Sequence, residues 1–404
     1  MSEYGPASRI VIVGGSIAGL TAARELRAEG FRGTLTVVDR DPESPYRRPE
    51  VSKKLLVEQM RGRTRLTWPT ELQVELLSAE AEALDLPGRT ITLAGRPAAA
   101  GVPFDGLVIA SGARSRKPPF AADAGVRWLR SAADAARLRA ELAGCRRLCV
   151  VGGGLIGLEV AALAVSLGKQ AVVVEAAPRP LLAVLGAEPA TALQRMLEAR
   201  GVTFRLGLTV TGIAGQAGQA DRTSSVRLAS GEDIAADVVL VAVGAAPETG
   251  WLAGNGLDLT DGVRCDHQCS VIGAAGVVAC GDVASWFNPL LRRQMRVEHW
   301  TNAIEQGSYA ARRLLGTHPA DGFASLPYFW SDQGDLKLQM LGRSEGHDEV
   351  RVLERGAASL VAEYRSAGRL LAVAGINAGP AVMTRRADIV RAYQQRSLAD
   401  IGLG

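Results

Sequence analysis

The stretch Arg9-Ile10-Val11-Ile12-Val13-Gly14-Gly15-Ser16-Ile17-Ala18-Gly19 passes from an apolar run into a glycine turn. It returns later as Leu148-Cys149-Val150-Val151-Gly152-Gly153-Gly154-Leu155-Ile156-Gly157. In such a turn the first glycine closes a tight bend and the second lets backbone approach a pyrophosphate. The third lets a helix pack against the strand, with its N-terminal partial positive charge facing the phosphates. Helical spacing of apolar residues follows each turn, over Ile17–Arg27 and over about Leu155–Leu167. A second strand then ends on an acid, Leu35–Val38 on Asp39 and Ala171–Val174 on Glu175, placed to accept hydrogen bonds from ribose hydroxyls. Gly152, Gly154 and Gly157 with Glu175 fit the pattern fully, whereas Gly14, Ser16 and Gly19 with Asp39 carry serine at the middle position. Two turns imply two dinucleotide sites, hence electron transfer between two cofactors. A carboxylate at Glu175 repels a 2′-phosphate and favours NADH over NADPH; Arg179, four residues on, is placed to soften that preference.

Working outward, Leu107–Gly112 reads as a buried strand leaving the first unit, and Val238–Gly244 and Gly276–Asp282 as strands that return. The fold class expected is α/β, with two Rossmann-like dinucleotide-binding domains, one inserted in the other, and a C-terminal α+β domain. The boundaries are 1–112 with 241–320, then 113–240, then 321–404. The last part is marked by alternating patterns at Leu336–Leu341 and Ser359–Tyr364 and by a terminal helix near Thr384–Gln394. Gly212–Ala220 reads as a surface hairpin loop.

The 404 residues, 47% apolar and 22% charged, suit two or three globular domains. No apolar run nears the roughly 20 residues that span a bilayer, and Met1–Ser8 is short and polar, so a cytoplasmic location is expected. A net charge of +4 is too small to argue nucleic-acid binding, but suits an acidic protein partner. Cys145, Cys149, Cys265, Cys269 and Cys280 match no zinc or iron–sulfur spacing and read as reduced structural thiols; no metal site is expected.

Further motifs run from end to end: Pro45-Tyr46-Arg47-Arg48-Pro49 with Ser52-Lys53, Leu129-Arg130-Ser131, Gly281-Asp282, Glu298-His299-Trp300 and Phe329-Trp330-Ser331-Asp332-Gln333. With the glycine turns they make the chain resemble the flavin-dependent ferredoxin reductases of oxygenase systems, a family that includes putidaredoxin reductase, rubredoxin reductase and dioxygenase reductase components. The tail motif is the most specific, because a generic two-dinucleotide flavoprotein has no need of it. The resemblance implies tightly bound FAD on the first unit, held by Gly14, Ser16, Ala18, Gly19, Asp39, Lys53, Ala81, Arg130, Asp282, Trp300 and Trp330. It implies NADH on the second, held by Gly152, Gly154, Ile156, Gly157, Glu159, Glu175 and Gly244. A helix starting at Trp300, with Ala303, Ile304, Gly307 and Ala310 at helical spacing, would offer its N-terminal dipole to the flavin; a packing aromatic is the plainer reading of Trp300. Lys53 and Glu159 are the catalytic candidates, paired beside flavin N5, where Lys53 stabilises the electron-rich ring and Glu159 orients the nicotinamide amide. A weak surface pair is the alternative. Trp330 would shield the flavin near the acceptor surface, against a plain core role, and Gly334 stands where many relatives carry tyrosine.

Related disulfide reductases need a cysteine in the segment after the first acid. Here Asp41–Met60 has none and the first cysteine is Cys145. Without a thiol relay, electrons must leave for an external one-electron acceptor, a [2Fe–2S] ferredoxin or rubredoxin-like carrier feeding a cytochrome P450 or Rieske-type oxygenase. Arg292, Arg293, Arg296, Arg312, Arg313 and Arg343 are docking candidates, or else simply a solvated basic face. The rival readings are an NADH oxidase or redox-signalling flavoprotein using oxygen or quinone, and an apoptosis-inducing-factor-like protein.

Overall fold

The computed structural model describes residues 4–58, 64–121, 125–215 and 224–395. Packing divides the chain into two compact units. One comprises Met1–Arg47, Arg61–Arg114 and Ala246–Pro327, and the other Arg48–Met60, Ser115–Ala245 and Tyr328–Gly404.

In the first unit the apolar run becomes the central strand, Arg9–Val13, of a five-stranded sheet. The strand order is Val277–Ala279, Gly106–Ile109, Arg9–Val13, Thr34–Asp39, Glu75–Ser78, and every pairing is parallel. Ile10, Val11, Ile12, Val37, Val38 and Val108 are buried, as a sheet covered on both faces requires. The leaving strand, Gly106–Ile109, and the returning strand, Val277–Ala279, both end earlier than the apolar pattern suggested. Gly112 and Gly281 take left-handed φ of 72° and 74°, which ends strand geometry before the apolar residues run out. Helix Ile17–Ala28 packs on helix Trp300–Leu315. Gly307 permits the approach, since a Cβ there would stand 2.5 Å from the Ala18 carbonyl oxygen.

The second unit repeats the plan in a four-stranded parallel sheet, ordered Val202–Leu206, Gln170–Glu175, Arg147–Val151, Val238–Val241. Cys149, Val151, Val174, Val226, Val239 and Val241 share one core. Helix Ala132–Gly144 starts on a capping box of Ser131 and Asp134. Of the expected loop Gly212–Ala220, Gly212–Ala214 ends strand Val210–Ala214, and residues 216–220 lie outside those described.

The tail forms a five-stranded antiparallel sheet ordered Tyr328–Gln333, Leu336–Gly342, Arg369–Ile376, Leu360–Ser366, Glu349–Arg355. Along its first strand Phe329, Ser331 and Gln333 are buried, while Tyr328, Trp330 and Asp332 alternate onto a partly open face. Gly334, at φ 68°, makes the tight turn to the second strand, which explains glycine there. The terminal helix is two pieces, Gly379–Thr384 and Arg386–Gln394, separated at Arg385, whose guanidinium bonds Glu363. Among the described residues, no helix is long and apolar enough to cross a membrane.

Candidate functional site

Both glycine turns sit where their sheet reverses strand order, the crevice in which open parallel sheets take ligands. Their geometry is nearly the same. Gly14 and Gly152 adopt φ of 109° and 112°, and each donates its N–H over 2.8 Å to the strand carbonyl before the acid, Val38 and Val174. A Cβ at Gly14 would lie 2.1 Å from the Ala110 oxygen, and one at Gly152 would lie 2.4 Å from the Ala242 oxygen. At the third position, a Cβ on Gly19 or Gly157 would meet the first glycine's carbonyl oxygen at 1.9 or 2.1 Å. The middle position differs. Gly154 is extended, at φ −79°, with nothing within 4 Å of a would-be Cβ, and Ser16 takes the same conformation at φ −74°. No backbone constraint therefore demands glycine there. What glycine adds at Gly154 is open space in front of the turn, where a pyrophosphate would lie; the first turn accommodates a Ser16 side chain there.

The two acids brace these loops. Asp39 accepts from the N–H of Gly15 at 2.8 Å and of Asp41 at 3.0 Å; Glu175 accepts from Gly153 at 2.7 Å and Ala177 at 2.8 Å. A carboxylate has about four lone-pair sites, so each acid keeps capacity for ribose hydroxyls. Arg179 is half-buried and partly engaged within the second unit. Its guanidinium donates to Thr191 Oγ1 at 3.0 Å and to the Pro178 carbonyl at 2.6 Å, with further N–H donors to spare.

In the first unit the loop of Asp282 and the strand of Ala81 lie against the helix and the acid that follow the first turn. A Cβ on Gly281 would meet the Ala18 Cβ at 3.0 Å, so the loop carrying half-buried Asp282 packs on the helix that follows the turn. The Gly281 N–H donates to Gln306 Oε1 over 2.9 Å. Trp300 opens its helix, half-buried, next to Thr301 and to Asn302, which is 2% exposed with Oδ1 unpartnered. A buried carbonyl without a donor marks a missing group, and with the glycine cradle it fits a bound dinucleotide. Ala81 begins strand Ala81–Asp85, two residues after Ala79, whose N–H bonds the Asp39 carbonyl at 3.0 Å. Gln306 and Asn302 were missed by sequence reasoning; the only signal is two amides on the helix face that is otherwise small and apolar.

In the second unit, Ile156 and Gly157 lie in the first turn of helix Leu155–Ser166 and Gly244 is exposed at φ 96°. The Arg130 carbonyl accepts from Arg48 Nη1 at 2.8 Å. Arg139 holds the same 48–58 segment through the carbonyls of Leu55 and Glu58, both at 2.8 Å. This segment brings Lys53 to Glu159, Nζ to Oε1, at 3.0 Å. Glu159 is 5% exposed and the Lys53 side chain 14%, so this is no surface pair. Lys53 also reaches the Pro49 carbonyl at 3.3 Å and Asp332 Oδ2 at 3.6 Å. Glu159 accepts three more hydrogen bonds, from Ser52 Oγ, from Ser331 Oγ at 2.7 Å and from the Asp332 N–H at 3.2 Å. Three of these four donors meet Oε1 and only Ser52 meets Oε2, so the carboxylate holds Lys53 while Oε2 keeps one acceptor site. Ser52, Ser331 and Asp332 were not singled out by sequence, although all three stand in motifs that were.

Trp330 is half-buried and stacks on Tyr328 with ring centroids 6.2 Å apart, on the open face of its strand rather than in the core. Of the docking candidates, Arg296 pairs with Asp261 at 2.9 Å and Glu298 at 2.6 Å, Arg312 with Glu25 at 2.5 Å, and Arg343 with Glu345. The charges of these three arginines are largely offset at short range. A cavity of about 340 Å³ lies elsewhere, in the C-terminal sheet and helices, lined by Arg365, Arg369, Arg385 and Arg391 around Glu363; it holds none of the predicted residues.

Residues 8–307 match the pyridine nucleotide-disulphide oxidoreductase family, and residues 328–401 match the reductase C-terminal domain. The chain belongs to the pyridine nucleotide-disulphide oxidoreductase family. Among curated relatives, it is 35% identical over 379 residues to a probable ferredoxin reductase, CtmF, of Castellaniella defragrans, covering 92% of this chain and 90% of that protein. It is 35% identical over 383 residues to the ferredoxin–NAD(+) reductase component of the anthranilate 1,2-dioxygenase system of Burkholderia cepacia, covering 92% of each. Among solved structures, the covalent putidaredoxin reductase–putidaredoxin complex superposes with a TM-score of 0.89 at 29% identity, covering 96% of this chain and 94% of that one.

Proposed function

We propose that this protein is an NADH:ferredoxin oxidoreductase with FAD as its resident cofactor, passing electrons to a [2Fe–2S] ferredoxin or rubredoxin-like carrier that serves a cytochrome P450 or Rieske-type oxygenase. The observation that carries this reading is the pair of switch-point cradles in one chain, with no cysteine in the segment that bears Lys53. FAD binds across 1–112 and 241–320, NADH across 113–240, and 321–404 forms the third domain. When bound, FAD supplies the conversion of a two-electron hydride into single electrons, chemistry that side chains cannot perform.

The chain's own residues bind and orient. Gly14, Ser16, Gly19 and Asp39 hold the first dinucleotide, with Ala18, Ala81, Arg130, Asp282, Trp300 and Trp330 contributing further contacts. Gly152, Gly154, Ile156, Gly157, Glu175 and Gly244 hold the nicotinamide nucleotide. Lys53 places a fixed cation beside the isoalloxazine, and Glu159 fixes that cation. The cellular site is the cytoplasm, a reading supported by five buried, unpaired cysteines.

The test is a coupled assay. With purified holoprotein and NADH, cytochrome c reduction should depend on added [2Fe–2S] ferredoxin, and NADPH should be a poor donor. Ferredoxin-independent oxygen consumption at the same rate would instead favour the oxidase reading.

A further inference from the structure

Lys53 stands between two carboxylates of unequal exposure. Glu159 is buried and 3.0 Å away, while Asp332 is 36% exposed, 3.6 Å away, and shares its charge with Lys337 at 3.9 Å. The ammonium faces three oxygens, with Glu159 Oε1 and the Pro49 carbonyl in hydrogen-bond range and Asp332 Oδ2 at ion-pair distance. Three of the contacts that govern this arrangement come from one strand, Tyr328–Gln333. Its fourth residue, Ser331, is fully buried and donates to Glu159 at 2.7 Å; its fifth, Asp332, offers both a backbone N–H to Glu159 and a side chain to Lys53. Gln333 Nε2 in turn donates to Ser331 Oγ at 3.4 Å.

We propose that Ser331 and Asp332 are positioning residues for Lys53, with opposite electrostatic effects. The argument rests on the reading that Lys53 faces the flavin. Ser331 holds the Glu159 carboxylate in place, and that carboxylate fixes the ammonium at the end of a four-carbon flexible stem. Asp332 supplies a negative charge on the far side of the same ammonium and offsets part of its field, less than a buried carboxylate would because water screens it. The tail sheet thereby sets the local charge at the electron-transfer site. It does so without contributing a group that reacts.

The signs separate this role from a merely structural one. Ser331→Ala should lower the flavin midpoint potential in the direction of Lys53→Met but by less, and Ser331→Thr, which keeps the hydroxyl, should restore it. Asp332→Asn removes the offsetting charge and should raise the potential. In Ser331→Ala the KM for NADH should stay unchanged, since Gly152, Gly154 and Glu175 are untouched, while kcat falls by about tenfold, as loss of an orienting partner does.

The measurement is spectroelectrochemical titration of the FAD-loaded variants, with steady-state kinetics beside it. Unchanged potentials in Ser331→Ala and Asp332→Asn, with a lowered potential in Lys53→Met, would overturn this inference and leave the reading of Lys53 intact. No shift in Lys53→Met would remove that reading itself. Should Ser331→Ala lose its FAD, the sign of the Asp332→Asn shift decides, and a fall would refute the proposal.

Discussion

Two alanine substitutions two residues apart, Gly152→Ala and Gly154→Ala, should fail for opposite reasons. At Gly152 a Cβ would lie 2.4 Å from the Ala242 oxygen, and the residue holds φ at 112°. Ordinary contact begins near 3.4 Å. The glycine turn and the Val238–Val241 strand end must therefore part by about 1 Å, and overpacking of this kind costs about 1–3 kcal/mol. The unfavourable φ adds about 1–3 kcal/mol for a non-glycine residue. Together these are a large fraction of the 5–15 kcal/mol typical of a domain. At Gly154 the would-be Cβ meets nothing within 4 Å and φ is −79°. Losing the glycine N-cap of helix Leu155–Ser166 costs roughly 0.5–1 kcal/mol, offset by about 0.4–1 kcal/mol from the lower unfolded-state entropy of alanine at this compatible φ. Yet that methyl would project into the space reserved for the pyrophosphate. Chemical denaturation and NADH titration together give the test. Gly152→Ala should unfold at clearly lower denaturant, whereas Gly154→Ala should keep the wild-type midpoint and raise the KM for NADH by at least about tenfold, a loss near 1.4 kcal/mol. Wild-type NADH kinetics in Gly154→Ala would refute the assignment of that space to phosphate.

Further expectations concern charge and sulfur. Glu175→Ala leaves the Gly153 and Ala177 N–H groups without their acceptor and removes repulsion toward a 2′-phosphate, so the NADH/NADPH ratio of kcat/KM should fall by about tenfold or more; an unchanged ratio places selectivity elsewhere. Burial pushes the Glu363 carboxyl up, but hydrogen bonds from Arg365 and Arg385 outweigh it and hold the group below its ordinary range. Its contribution to stability is then complete above the usual carboxylate range and lost as pH falls through the lowered folded value. Glu363→Gln should accordingly narrow the stability gap between pH 7 and pH 3, and equal gaps in both proteins would count against it. All five cysteines are buried, and burial pushes Cys149 and Cys280 to about 12, so native protein at pH 8 should react with no Ellman's reagent while denatured protein titrates five thiols. Rapid labelling of even one native thiol would contradict that.

The parts legible in the chain itself were local in sequence. A run such as Arg9–Val13 followed by Gly14 and Gly19 specifies strand, turn and helix because the steric demands lie within a few residues. The acids at Asp39 and Glu175 were legible for the same reason, each lying at the end of a strand paired in register with the first. Contacts between distant segments were not. Ser52 and Ser331 reach Glu159 across 107 and 172 residues, and serine in a short motif carries no mark of a buried carboxylate partner. The arginines near the flavin-binding stretch read as a basic face because net charge is additive along a sequence. In space Arg296 and Arg312 stand against carboxylates drawn from elsewhere in the chain, Asp261 and Glu25 among them. Backbone sterics and hydrophobic period thus settled the two cradles before any folding was considered. Which charges survive uncompensated, and which hydroxyls hold the Glu159 carboxylate against Lys53, depended on the packing of segments far apart in the chain, since electrostatic and hydrogen-bond energies depend on distance in space rather than along the sequence.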